Sequence, residues 1–380
     1  MFRDNTVFIV GAGASAEFEL PVGSGLAKRI QSRCACIRDG NGRLESVADP
    51  FLNSIIVKNF EGDDLIKSLS VLDAFNASLD TAVSIDAFID RFRENDRVAT
   101  LGKVLIALEI AEAERESILS PQRMAKEKFD DTAKRANDTW IGSFTQILLD
   151  GVYDPETIGK NITIICFNYD RCIEQHLVET IAKSYTIDIV KAEAVVSMMN
   201  IIHPYGTLGS LPWNGHQRLE DVVPFGLGAD ASVNWMQIAN ENIRTYTQQR
   251  HDVETVQAIH NAMGACKVLV FLGFGFNNQN LDLLRLKGLS DLGAIRIPMV
   301  YSSGLGISRQ VGVTLQRRIG NLFSDYNRVS PQWQDRIHIE HELTCSQLFD
   351  THYMNLNKFV EHYVDPSNGE LIQVSASGNE

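Results

Sequence analysis

The sequence predicts a doubly wound α/β fold: a Rossmann domain with a parallel sheet, an inserted helical subdomain and a small C-terminal α/β extension. Three observations predict the sheet. Short apolar runs recur along the chain, stretches with helical patterning separate them, and each run ends in a turn of glycine or polar residues. Runs that are apolar throughout, without alternation, mark strands covered on both faces.

The elements follow in order. Val7 to Val10 is the first strand, and Gly11-Ala12-Gly13-Ala14-Ser15-Ala16 follows at once. Ile162 to Phe167 is a second, ending in Asn168-Tyr169-Asp170 with a helix from about Arg171. Val268 to Leu272 is a third, ending in Gly273-Phe274-Gly275-Phe276 and leading to a helix from Asn280. Ile297 to Tyr301 is a fourth, followed by Ser302-Ser303-Gly304. Between the first and second lies the helical subdomain, residues 60–150, which has almost no strand signal. Within it, Ile85, Phe88, Ile89 and Phe92 fall at i, i+3, i+4 and i+7, with Ser84 as N-cap. Asn200 to His203 reads as a short strand feeding His203-Pro204-Tyr205-Gly206. Residues 1–305 therefore form the main domain. Residues 306–365 form a small C-terminal region containing a strand at Arg336 to Ile339, and the polar 366–380 reads as a disordered tail.

Composition narrows the class. With 44% hydrophobic and 22% charged residues, the chain has the make-up of an ordinary globular protein. No apolar run approaches the ~18 residues of a membrane span, and the N-terminus carries no secretory pattern, so the expectation is a cytoplasmic protein that does not touch membrane. A formal charge of −13 gives no general attraction to nucleic acid, and none is expected as a direct partner. The six cysteines include no C-x-x-C pair. They read as small core residues or inert thiols, and no zinc site is expected.

The chemistry concentrates at strand ends. Gly11 to Ala16 fits G-x-G-x-x-A after a strand, a turn that brings backbone and free N–H groups close to a pyrophosphate. A tight turn without a ligand fits the same residues. Pro21 and Gly23 interrupt the helix a dehydrogenase would continue, and no second strand with an acidic end follows about 20 residues on, so the segment after the turn reads as a flexible lid. Asn168 is either a ligand-facing carboxamide or a turn residue, and Asp170 either an acid in the site or a helix cap. His203 is either a group near neutral pH that meets the ligand or a hydrogen-bonded core histidine. The functional reading of Asn168 and His203 rests on their place at strand ends, where α/β folds bind ligands.

Taken together these residues resemble a family. Gly11-Ala12-Gly13-Ala14-Ser15 followed by Leu20-Pro21 is similar to the opening of sirtuins. Phe167-Asn168-Tyr169-Asp170 resembles the T-N-Y-D form of bacterial sirtuin-like NAD hydrolases of anti-phage defence systems, and His203-Pro204-Tyr205-Gly206 stands where that family has its histidine-glycine element. Phe271 to Phe276 followed by Asn280-Leu281 is similar to the family's late glycine turn, and the four motifs keep the family's order.

The resemblance implies roles. Gly11, Ala12, Gly13 and Ser15, with Pro21 beside them, would cradle the phosphates of NAD, which is the substrate. Asn168, Tyr169 and Asp170 would face the nicotinamide ribose, and His203 its hydroxyls. Gly273, Phe274 and Gly275 would shape the adenosine end. Asn168, His203 and Asp170 would be the residues on which cleavage depends. The chemistry suits these types, because nicotinamide leaves NAD without protonation and the site has only to stabilise an oxocarbenium-like ribose and hold a water. Two departures matter. The sirtuin four-cysteine zinc module is missing, and Val22-Gly23-Ser24 replaces the segment that helps build the acyl-lysine tunnel. Water is then the acceptor, and the implied activity is hydrolysis to nicotinamide and ADP-ribose by an NAD-depleting defence effector. About 75 residues follow Leu305, fewer than the sensing domain many relatives carry. Control is therefore expected through homo-oligomerisation or a separate partner, with a HerA-type hexameric ATPase the first candidate. The alternatives are a module that senses NAD or ADP-ribose without cleaving it, and a scaffold subunit of a partner ATPase.

Overall fold

The computed structural model describes residues 1–82, 84–127, 135–213, 218–246, 248, 252–286, 297–323, 335–358, 360–364 and 371–375. Its strands are β1 (Thr6–Val10), β2 (Cys36–Arg38), β3 (Leu44–Val47), β4 (Ile162–Cys166), β5 (Ile201–Ile202), β6 (Val268–Leu272), β7 (Met299–Gly304), β8 (Ile337–His341), β9 (Val360–Val364) and β10 (Leu371–Ser375). Six of them form one sheet in the order β5-β4-β1-β6-β7-β8, with every pairing parallel. From β1 the chain builds outward to β4 and β5, then returns to lay down β6, β7 and β8 on the other side. That is the Rossmann order, and its switch point lies between β1 and β6.

Burial on both faces explains why β6 is apolar at every position and β1 at all but Thr6, whose hydroxyl donates to Arg3 O. Val7, Ile9, Ile165, Leu269 and Phe271 pack toward the helical subdomain. Phe8, Val10, Ile164, Cys166, Val270 and Leu272 face the opposite layer. In that layer Phe8 and Phe144 meet edge to face at 5.1 Å, and Phe349 stacks over Trp140 with rings 11° apart. Phe349 belongs to the helix Cys345–Leu356, so the segment after residue 305 supplies both a sheet strand, β8, and part of the core.

The helical subdomain stands on the helix Asp96–Glu116, buried along most of its length, with Asn95 accepting the Arg97 N–H at its start. Ser84 caps the helix Ile85–Arg91 by accepting the Ala87 N–H at 3.1 Å, as its position predicts. Toward the end of the subdomain the helices are Pro121–Lys126 and Trp140–Leu149, and 128–134 lies outside the described residues.

Other expectations shift. The lid after Pro21 is instead a helix, Ser24–Arg33, tied down where Arg33 donates to Glu109 and Asp49 at 2.6 and 2.9 Å. A hairpin, β2 and β3, follows it. The fourth strand begins at Met299 and runs on through Ser302-Ser303-Gly304, which the sequence marks as a turn. The serines stay in the strand because Ser303 Oγ accepts the Gly273 N–H at 2.9 Å, which satisfies a buried hydroxyl. Of the expected disordered tail, only Leu371–Ser375 is described, as a strand antiparallel to β9. No helix among the described residues is long and apolar enough to cross a membrane.

Candidate functional site

Val10 pairs with Cys166 on one side and Leu272 on the other, so β1, β4 and β6 end level. Gly11, Phe167 and Gly273 therefore leave the sheet side by side, with Asn168 one residue further on. The backbones touch: Gly11 N–H donates to Leu272 O and Gly13 N–H to Gly273 O, each at 2.9 Å. A Cβ on Gly13 would lie 2.8 Å from Gly273 Cα, and one on Gly273 would lie 2.0 Å from Ala14 N. Gly273 also has φ +55°, a left-handed conformation that favours glycine. Gly11, Gly13 and Gly273 are thus required by the mutual approach of the two turns. The free N–H groups the motif suggests are not both available, since those of Gly11 and Gly13 serve the junction with β6. Ala12, exposed at the start of the short helix Ala12–Ser15, is the part of the turn that meets solvent.

Asn168 lies beneath this turn, 7% exposed. Its Nδ2 donates to Gly11 O at 3.0 Å and to Ser15 Oγ at 2.8 Å. A carbonyl can only accept, so the bond to Gly11 fixes which end of the carboxamide is nitrogen. No protein donor reaches Oδ1 among the described residues. Ser15 Oγ passes its own proton to Asp170 Oδ2 at 2.8 Å. This commits the hydroxyl that the resemblance assigns to a phosphate. Asp170 Oδ1 accepts the Cys172 N–H at 3.3 Å, so Asp170 joins the site network and also caps the following helix, Cys172–Tyr185. Burial pushes the Asp170 carboxyl up, against the pull of its Ser15 and Cys172 hydrogen bonds.

His203, just beyond β5, is held at both ring nitrogens. Nδ1 lies 3.0 Å from Asn168 O and Nε2 lies 2.8 Å from Glu174 Oε1. Burial alone would lower its proton affinity, but the Glu174 carboxylate and the Cys166 sulfur outweigh that and raise it well above the usual histidine range. Glu174 moves the opposite way, because His203 overcomes the effect of burial and holds the carboxyl below its usual range. A ring so engaged reaches Asn168 rather than a ligand.

The remaining motif side chains are equally committed. Tyr169 OH donates to Asp86 of the capped Ile85–Arg91 helix at 2.7 Å. Arg171 forms a buried double contact with Glu114, through Nε to Oε1 at 3.1 Å and Nη2 to Oε2 at 2.5 Å. Burial pushes the Glu114 carboxyl up even so, with Arg171 drawing it back. Phe274 packs among Phe167, Phe271 and Phe276 as a core ring, while Gly275 is exposed with open space around it. Pro21 is half-buried at the approach to the Ser24–Arg33 helix.

The structure thus brings Gly11, Gly13, Ser15, Asn168, Asp170, His203 and Gly273 into one connected cluster. Sequence reasoning missed Asp86, Glu114 and Glu174. Glu174 had a signal, four residues after Asp170 on the next helix; Asp86 and Glu114 come from the subdomain and had none. Two surface clefts lie elsewhere, one around Phe88, Phe92 and Lys67, the other around Arg29, Arg33 and Glu116. Among the described residues, no group of three or more histidine, cysteine or acidic side chains is arranged to hold a metal ion. Comparison with protein-family models, with curated proteins and with solved structures gave no match.

Proposed function

We propose that the chain binds NAD+ at the switch point between β1 and β6 and hydrolyses it to nicotinamide and ADP-ribose, as the sirtuin-like hydrolases it resembles do. The observation that carries this reading is the carboxamide of Asn168. Gly11 and Ser15 fix its nitrogen, and its oxygen remains for a ligand where three parallel strands end together. Open α/β sheets bind ligands at such a point.

In the reaction the bond between the ribose anomeric carbon and the nicotinamide nitrogen breaks, and its electron pair neutralises the pyridinium. Water then bonds to that carbon and loses a proton to solvent. Asn168 Oδ1 accepts from the ribose or from the attacking water. Asp170 lies one hydroxyl away and places a carboxylate near the developing positive charge. His203 acts through the Asn168 backbone and is a positioning residue in this scheme. By the same resemblance, the activity serves anti-phage defence by depleting NAD+, and self-assembly or a HerA-type ATPase partner controls it.

A second reading is NAD or ADP-ribose sensing without cleavage. It is favoured by the engagement of both His203 nitrogens, which leaves the ring no lone pair for a base. Nicotinamide release by the purified protein, alone and with a HerA-type ATPase, separates the two. Release that Asn168→Ala abolishes supports hydrolysis. Binding of NAD+ that stays intact in every mixture supports sensing.

A further inference from the structure

We propose that Glu174 is a positioning residue of this site: it keeps His203 doubly protonated, and the charged ring clamps the Asn168 carbonyl that sets the carboxamide in place. The inference rests on the proposed role of Asn168. It adds a residue and a pH dependence that the motifs do not contain.

With Glu174 ionised, as the lowering of its carboxyl by His203 favours, the geometry requires two protons on the ring. A backbone carbonyl and a carboxylate both accept, so each facing nitrogen must carry hydrogen, at 3.0 Å to Asn168 O and 2.8 Å to Glu174 Oε1. A neutral ring satisfies one of them and turns a lone pair on the other. Glu174 has its own need for the cation. Its Oε2 is buried without a hydrogen-bond partner, and a buried carboxylate persists only where a positive charge compensates it.

The titratable groups facing His203 are Glu174 from the Cys172–Tyr185 helix, Cys166 from β4, whose thiol reaches the ring, and, more remotely, Asp170 just before that helix. Arg171 faces Glu174 in turn. Glu174 alone among these is both anionic and bonded to the ring. Removing its charge leaves the ring buried, and burial favours the neutral form. Loss of a proton leaves one ring nitrogen bare, and when the remaining hydrogen faces residue 174 it frees Asn168 O, so that the carboxamide beyond it loses its fixed base.

Imidazole nitrogen NMR of the full chain, with the His203 signal identified by its absence in His203→Gln, reads the ring directly. The side-chain amide signal of Asn168 reads the clamp, and nicotinamide release against pH reads its effect on turnover. In the unmodified protein the ring should hold both protons well above the usual histidine range. In Glu174→Gln its proton affinity should fall by about tenfold or more. The Asn168 amide should then exchange faster with solvent at neutral pH, and the alkaline limb of kcat should move down with little change in KM. If Glu174→Gln does not fold, raising the pH of the unmodified protein makes the same test, because the ring and the Asn168 amide must change together. A ring that titrates unchanged in Glu174→Gln, or an Asn168 amide indifferent to the ring's charge, overturns the clamp. Absence of nicotinamide release from the unmodified protein would instead count against hydrolysis, and the two NMR readouts would still decide the clamp.

Discussion

Ser15 Oγ accepts the Asn168 carboxamide at 2.8 Å while donating to Asp170 at the same distance, so one hydroxyl joins the glycine turn to the end of β4. All three side chains are buried, which makes each bond costly to lose. Ser15→Ala leaves Asp170 and Asn168 each one partner short. A loss of about 1–3 kcal/mol is expected from unfolding in urea, the range for a buried polar group left unsatisfied. NAD+ turnover should fall more steeply than affinity, since the substitution releases the carboxamide without touching the exposed Ala12. Ser15→Cys, a weaker donor, should lie between the two.

The two glycines of the late turn should behave oppositely. Gly273 combines φ +55° with a Cβ position 2.0 Å from the Ala14 backbone nitrogen, and that neighbour cannot move without breaking the first turn. Gly273→Ala should therefore prevent folding or cost more than about 3 kcal/mol, an exceptional value for one methyl group. Gly275 has no atom within 4 Å of its would-be Cβ. Gly275→Ala should shift the melting temperature little. Circular dichroism melts of the pair suffice, and equal effects would mean that the turns do not approach as described.

That contrast shows how much of the molecule was legible beforehand. β1, β4 and β6 could be read because burial on both faces demands apolar residues at all but Thr6 and Thr163, a pattern few other elements produce. Asn168 could be placed at a strand end for the same reason, while His203 follows the two-residue, partly buried β5. The β2–β3 hairpin could not be read, because its strands are three and four residues long and partly exposed. Ser302 and Ser303 suggested a turn because a sequence does not reveal that a backbone amide from another strand will satisfy a serine. Glu114 and Asp86 were hidden for a deeper reason. They meet Arg171 and Tyr169 across sequence separations of 57 and 83 residues, and nothing local marks such a partner.

Breaking the Arg171–Glu114 pair should be among the most damaging single changes. Glu114 Oε1 also accepts the Arg171 N–H at 2.9 Å, and Arg171 Nη1 donates to Val223 O, so the pair ties the subdomain to the residue following Asp170. Glu114→Ala leaves a buried guanidinium uncompensated, at a cost of about 3–5 kcal/mol. Arg171→Met together with Glu114→Leu should recover most of that stability, because two apolar side chains need no counter-charge. Denaturant unfolding of the single and double variants measures both. If the double variant regains its fold but not its turnover, the pair serves to aim Asn168 and Asp170 as well as to hold the domains together.

Lys103 is the opposite case, a buried charge with no compensation. It is 4% exposed on the Asp96–Glu116 helix, and no hydrogen bond or ion pair reaches it among the described residues. Burial, helped by Arg244, lowers its proton affinity from an ordinary 10.5 to about 8. A folded-state value below the unfolded one means that the unfolded chain binds more protons between the two, so this group makes stability rise with pH from about 8 toward 10.5. His203 acts in the other direction. Its raised value gives stability that is complete below about 6.5 and is lost as pH climbs through the folded value. Lys103→Met removes the first effect and leaves the second. The variant should be more stable than the unmodified protein at pH 7 by about 1–3 kcal/mol, since an apolar side chain of similar length replaces an unpaired buried charge. Its stability should then fall monotonically above neutral pH, where the unmodified protein shows a flatter profile. Urea midpoints at half-unit pH steps give both curves. A Lys103→Met variant less stable at pH 7 would mean that the ammonium has a partner in the folded chain.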